Sequence, residues 1–161
     1  PELFNLPSFQ SSRYLPLANT DSELVFCCLM DRLGSIWLNR HEPPSPTQRL
    51  AIISELAKEI RAYGPANFLY SDGEYLFAHS HRRTNPETRE IDAPGLHLLQ
   101  RHCPATALTD TKIPGLSVDS SEQSLTLLAS VPLSDEPWQP LDEGEIVVIK
   151  DGEIITLVKQ A

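Results

Sequence analysis

The spacing of apolar positions along the chain changes period once, near residue 65. Residues 24–33, LVFCCLMDRL, are apolar around most of a helical circumference, which predicts a helix enclosed between layers rather than lying on a surface. Thr20-Asp21-Ser22-Glu23 precedes it and reads as a capping box. In that pattern the Thr20 hydroxyl accepts the N–H of residue 23 and Glu23 reaches back to the N–H of Thr20. Gly34 is the expected end. A second helix is predicted from Pro46 to Tyr63, where Leu50, Ile53, Ala57 and Ile60 recur at helical spacing. Arg49, Glu55, Lys58, Glu59 and Arg61 fall on its other faces, and Gly64-Pro65 stops it.

From residue 66 the rhythm is that of strands. Asn67–Tyr70 and Tyr75–His79 flank Asp72-Gly73, and Glu145–Ile149 and Ile154–Val158 flank Asp151-Gly152. Each D-G pair suits the positive φ angles of a tight hairpin turn. Further strands are predicted at Leu96–Leu99 and Ser124–Ala129. Residues 1–19, with three prolines and irregular apolar spacing, read as an extended surface loop. The expected organisation is therefore one domain over 1–161: a loop at 1–19, two helices in 20–63, and strands and hairpins in 66–161. The fold class is α+β with mostly antiparallel sheet.

Composition narrows the function. A net charge of −9 leaves no basic stripe to neutralise phosphates, so nucleic acid is not an expected partner. No apolar run approaches a membrane span, and PELFNLPSF lacks the basic-then-apolar order of a signal peptide. A membrane is not an expected partner either, and a soluble cytoplasmic protein is expected. Three cysteines, two of them adjacent in a helix, make no disulfide framework and point to a reducing compartment.

Candidate chemistry is sparse. Asp21 would be the first helical residue, where free N–H groups and the macrodipole favour a charged carboxylate able to receive an ammonium; the same placement also serves simply to stabilise the helix. His79 and His81, two apart on a strand, could share a metal with His97, His102 or Cys103. No CxxC, HExxH or paired-carboxylate spacing accompanies them, so a partly exposed polar strand end is expected there, with no metal or cofactor. Cys27 and Cys28 lie among Phe26, Leu29 and Met30, a core setting rather than that of reactive thiols. Trp37 and Trp138 read as covers for sheet or helix edges. Neither a G-x-S-x-G elbow nor a glycine-rich phosphate loop occurs.

Three ordered blocks carry a resemblance. RYLPLANTDSELVFCCLMDRL resembles a "Y-x-P-x-G-x-T-D-S-E" loop that opens a helix. ANFLYSDGEYLFAHSHRR is similar to an "N-F-L-L-S-D-G-x-x-L-x-A-H" hairpin. LLASVPLSDEPWQPLDEGEIVVIKDGEI is similar to "V-A-S-x-P-L-x-x-x-x-W-x-x-L-x-x-G-E" with a closing hairpin. All three belong to the YafJ-like branch of the class II glutamine amidotransferases, within the N-terminal-nucleophile hydrolases. Asn19 stands near the usual Gly and Val131 where Glu is usual.

The resemblance implies an αββα four-layer sandwich of which this chain forms part. It also implies hydrolysis of the glutamine side-chain amide through a thioester on an N-terminal Cys whose own α-amine is the base. An Asn side chain and a Gly N–H would stabilise the oxyanion, and an Arg and an Asp would hold the substrate carboxylate and ammonium. Only the Asp has a counterpart here, Asp21, with Thr20 beside it; no catalytic group is assigned to this chain. The expectation is a C-terminal portion of an amidotransferase domain, lacking the nucleophile and oxyanion hole. It would bind glutamine or a γ-glutamyl compound together with the missing N-terminal segment, or self-associate. The alternative is a non-catalytic binding module that keeps the scaffold.

Overall fold

The computed structural model describes residues 3–10, 13–38, 41–103 and 123–159. They fall into two units, residues 1–56 and residues 57–161.

In the first unit the prolines do not produce an extended loop. Residues 3–9 form two short 3-10 turns, Leu3–Asn5 and Pro7–Phe9, the second opened by Pro7, whose fixed φ suits a tight helical turn as well as an extended strand. Leu3 and Phe9 are buried, and both turns pack against helix α1, Asp21–Trp37. That helix runs a turn beyond Gly34, since a single glycine costs a helix only about 1 kcal/mol. It ends where Leu38 takes an extended conformation and donates its N–H to the Gly34 carbonyl. Leu24, Cys27, Cys28, Leu29 and Leu33 are buried, whereas Phe26 is 52% exposed. The helix therefore has an open face and is not enclosed all round.

Helix α2, Pro46–Arg61, starts on a full capping box of its own. The Gln48 side chain accepts the Ser45 N–H at 3.0 Å and Ser45 Oγ accepts the Gln48 N–H at 3.3 Å. Arg49, expected on an outer face, is buried. Its Nε donates to the Pro44 carbonyl at 2.8 Å and its guanidinium lies 5.0 Å from the Trp37 ring centre, so a π face and a carbonyl offset part of its lost hydration.

Among its described residues the second unit holds nine strands: β1 Phe68–Ser71, β2 Leu76–His79, β3 Arg83–Thr84, β4 Ile91–Asp92, β5 His97–Cys103, β6 Gln123–Ala129, β7 Gln139–Pro140, β8 Glu145–Lys150 and β9 Glu153–Lys159. They form antiparallel sheets in the orders β1-β2-β8-β9 and β6-β5-β7, with β3 and β4 as a two-residue ribbon. Register fixes which side chains share a face. Leu69, Ala78, Val147 and Leu157 line up across the first sheet, and Ala78, Val147 and Ile149 pack against Leu96, Leu98 and Leu141 to form the core between the two larger sheets. The opposite face of β2 and β8, with Phe77, His79, Ile146 and Val148, is buried as well.

The two D-G sites fold differently. Asp151 and Gly152 have φ of 50° and 79° and form a two-residue turn of the mirror-image kind that matches strand twist. Between β1 and β2 the connection is four residues long. There only Gly73 takes a positive φ, and Asp72 Oδ1 accepts the N–H groups of Glu74 and Tyr75 at 3.0 and 2.9 Å.

The β8–β9 turn also seats against β6. Thr126 Oγ1 donates to the Gly152 carbonyl at 2.6 Å, and a Cβ on Gly152 would lie 1.9 Å from the Ser124 carbonyl oxygen. Gly152→Ala therefore meets a positive φ and a backbone clash at once and is expected to cost about 2 kcal/mol or more. Urea unfolding measures this, and an unchanged midpoint would mean that the turn is not pressed on β6.

Candidate functional site at the entrance of the first helix

Thr20 is the N-cap of α1, extended at φ −108° and ψ 137°, and its Oγ1 accepts the Glu23 N–H at 3.4 Å. Half of the expected capping box is therefore present. The other half is redirected: the two carboxylate oxygens of Glu23 accept the N–H groups of Leu17 and Ala18, each at 2.8 Å. These donors belong to the loop ahead of the cap and have no strand or helix to pair with, so one carboxylate serves two otherwise unpaired amides. The result is a closed ring of hydrogen bonds from Leu17 to Glu23. Asp21 emerges from it as the first helical residue, exposed to solvent. Arg13 ties the start of the same loop to α1 by donating its N–H to Asp31 Oδ2 at 3.2 Å.

The other sequence candidates are not brought together. His79 ends β2, fully buried, with Nδ1 3.3 Å from the Glu145 carbonyl and Nε2 without a hydrogen-bond partner. Burial first, and then the Arg61 charge, lower its pKa to about 4, so the ring is neutral. His81 lies beyond the strand and is also buried, its Nε2 3.4 Å from Glu143 Oε1, to which Arg82 donates at 2.8 Å. The expected partly exposed strand end is instead buried, because the antiparallel partner β8 continues past it: the Ser80 N–H donates to the Glu145 carbonyl and the Gly144 N–H to the Ser80 carbonyl.

His102 is exposed, and the side chain of Cys103 lies outside the described residues. Among the described residues no cluster of three metal-ligating side chains forms. Cys27 and Cys28 are buried free thiols, and burial, then Glu23 and Asp31, push the Cys27 pKa up, the opposite of nucleophile activation.

Sequence reasoning missed one pair of locks around this hairpin. Asn67 Oδ1 accepts the His81 N–H at 2.7 Å while its Nδ2 donates to the Arg82 carbonyl at 2.7 Å. Gly95 leaves the space, since a Cβ there would fall 1.8 Å from Asn67 Oδ1. The available signal was an Asn immediately before an apolar strand. In the SDEPW stretch, Glu136 pairs with Arg101 through both carboxylate oxygens and accepts from Ser134, whose Oγ accepts the Trp138 indole N–H at 3.1 Å. Trp138 is buried beside Leu99.

The family model for class II glutamine amidotransferases matches residues 2–161. This chain belongs to the class II glutamine amidotransferases. The amidotransferase chain is 32% identical over 146 residues to an uncharacterized protein of Methanocaldococcus jannaschii, covering 88% of this chain and 38% of that protein. It is 30% identical over 152 residues to the candidate glutamine amidotransferase YafJ of Escherichia coli, covering 89% and 53% respectively. The crystal structure of a predicted glutamine amidotransferase from Pseudomonas aeruginosa superposes with a TM-score of 0.65 at 27% identity, over 92% of this chain and 55% of that one. The chain thus spans about half the length, or less, of these relatives. The fold class is the α+β, N-terminal-nucleophile hydrolase-like one, and the facing antiparallel sheets of residues 57–161 accord with it. No helix among the described residues is long and apolar enough to cross a membrane.

Two outcomes follow from the geometry. Glu23→Ala frees the Leu17 and Ala18 amides, so their hydrogen exchange should speed up while exchange in the middle of α1 is unchanged; equal exchange in both proteins would remove Glu23 as the loop clamp. For His79, the unfolded chain takes up a proton near pH 6.5 and the folded chain only near about 4. Stability should therefore fall as pH drops through that window, by on the order of 3 kcal/mol from this group. Urea titrations at several pH values should show a shallower fall in His79→Gln, and an identical slope would assign the acid sensitivity elsewhere.

Proposed function

We propose that residues 1–161 supply the ammonium-binding side of a glutamine site in an amidotransferase that hydrolyses the side-chain amide of glutamine, or of a γ-glutamyl compound. Asp21 is the residue that accepts the substrate α-ammonium, and Thr20 sets the helix start that aims it. The observation that carries the reading is the T-D-S-E sequence, with its Asp exposed as the first residue of α1, inside a family match that runs from residue 2 to residue 161.

The chemistry suits the position. A carboxylate at a helix N-terminus discriminates for a substrate ammonium by charge and hydrogen bonding together. The nucleophilic Cys, the base it carries as its α-amine, the oxyanion donors and the carboxylate-binding Arg are assigned to polypeptide outside these residues. In that division of labour the thiol attacks the amide carbonyl, its proton passes to the α-amine and on to the departing ammonia, and water then cleaves the thioester. A reducing, cytoplasmic setting suits such a thiol. Asp21 takes no part in bond making; it holds the end of the substrate away from the reacting amide.

The test uses the full polypeptide of the gene that encodes residues 1–161. A charge-assisted hydrogen bond is worth about 1.5–3 kcal/mol, so Asp21→Asn should raise the KM for glutamine about 10- to 100-fold. Glutaramate, which is glutamine without its α-amino group, should react equally poorly with wild type and variant, so the preference for glutamine over glutaramate collapses in Asp21→Asn. Retention of that preference by a folded variant would take the ammonium role away from Asp21.

A further inference from the structure

We infer that Asp31 and Glu23 are positioning residues for Asp21: together they strap residues 13–18 along α1 and so fix the chain that enters the helix at the candidate ammonium site. This rests on the role proposed above for Asp21. Both carboxylates accept backbone amides from the one segment. Asp31 Oδ2 takes the Arg13 N–H at 3.2 Å, and the Glu23 oxygens take the Leu17 and Ala18 N–H groups at 2.8 Å each. The Arg13 side chain reaches on past Asp31, for a Cβ on Gly34 would lie 3.2 Å from its Nη1.

The lengths agree with a strap. From Glu23 to Asp31 the helix rises about 12 Å, and an extended chain spans about 13–14 Å from Arg13 to Leu17. The segment therefore runs nearly straight, antiparallel to α1, and crosses the level of Cys27 midway. Cys27 is 7% exposed, and the charges of Glu23 and Asp31, one turn to either side, both bear on its thiol. Leu15 and Leu17 are 75% and 98% exposed, so apolar burial does little to hold the segment down and the polar bonds carry it. Beyond the Glu23 clamp only Asn19 and Thr20 precede Asp21, and the Thr20 cap bond is long at 3.4 Å. A strap released at one end leaves that weak cap to fray, and Asp21 with it. Asp31 lies about 15 Å along the helix from Asp21, too far to touch an ammonium held there, so its effect reaches the site through the strap.

Variants of the full polypeptide of the gene that encodes residues 1–161 test this. Asp31→Ala loses the acceptor, whereas Asp31→Asn loses the same charge and keeps an acceptor oxygen. Asp31→Ala should raise the KM for glutamine about three- to tenfold at unchanged kcat and narrow the preference for glutamine over glutaramate, while Asp31→Asn stays within about twofold of wild type. Alkylation of Cys27 by iodoacetamide, located by peptide mass, should be at least about tenfold faster in Asp31→Ala and close to the wild-type rate in Asp31→Asn. Cys28, 3% exposed, is the control for the helix itself. An equal gain at Cys28 would mean that α1 opens as a whole and would overturn the inference. So would an equal rise in KM in Asp31→Asn, or an unchanged KM in Asp31→Ala. An unchanged KM there, with Asp21→Asn still losing its preference for glutamine, removes the positioning role alone. A preference kept by Asp21→Asn removes the functional reading and leaves Asp31 nothing to position.

Discussion

The pairing of β2 with β8 is the interaction on which the rest of the strand-bearing unit depends. It joins residues 76–79 to residues 146–149 across a long stretch of sequence, so the entropy of closing that loop must be offset by what the pairing buries. What it buries is considerable: both faces of both strands are withdrawn from water, with Ala78 and Val147 on one side and Phe77, His79, Ile146 and Val148 on the other. Everything between, including β5 and β6, is carried on the loop so closed. The second sheet then has a surface to pack on. The same pairing accounts for the two histidines, because β8 and the turn before it extend past the end of β2 and close over His79 and His81.

The entrance of α1 solves a smaller problem of the same kind, how to place a polar backbone segment where no regular structure pairs it. A capping box would have spent Glu23 on the cap residue itself. Here the carboxylate reaches farther upstream, and the loop becomes part of the helix terminus. The cost is two acidic side chains in one first turn, Asp21 and Glu23, of which Glu23 is occupied by backbone amides. Their mutual repulsion is offset by those amides and by the positive end of the helix.

Much of this was legible in the residues. The Asp151-Gly152 turn was, because two positive φ angles in succession are a local demand that few dipeptides meet. The six longer strands were placed to within about four residues, and helix α2 to within two, because their periodicities are strong, whereas the two-residue strands β3, β4 and β7 are too short to carry a period and were not read. What was not legible involves partners distant in sequence. Arg49 looked like an outer residue because nothing nearby in sequence announces Trp37 as its neighbour. His79 looked half exposed because burial by β8 is a long-range event. The capping box at Thr20 was legible by half: Thr20 does cap Glu23, as read, but the amides of Leu17 and Ala18 draw the Glu23 carboxylate away, while the complete box at Ser45 and Gln48 went unread. At the candidate site, the position of Asp21 could be read from capping rules, whereas its reading as an ammonium acceptor came from the family resemblance.

The burial of the α1 thiols has a practical side. Cys27 is held as the protonated thiol by its apolar surroundings and by Glu23 and Asp31, and Cys28 is buried next to it. Burial shields both sulfurs from an electrophile in the folded state. A chloroketone or diazo-ketone analogue of glutamine, offered to an assembled amidotransferase, would therefore find these two positions chemically silent. Covalent labelling of the native protein then reads out any other thiol against a background that the helix itself suppresses.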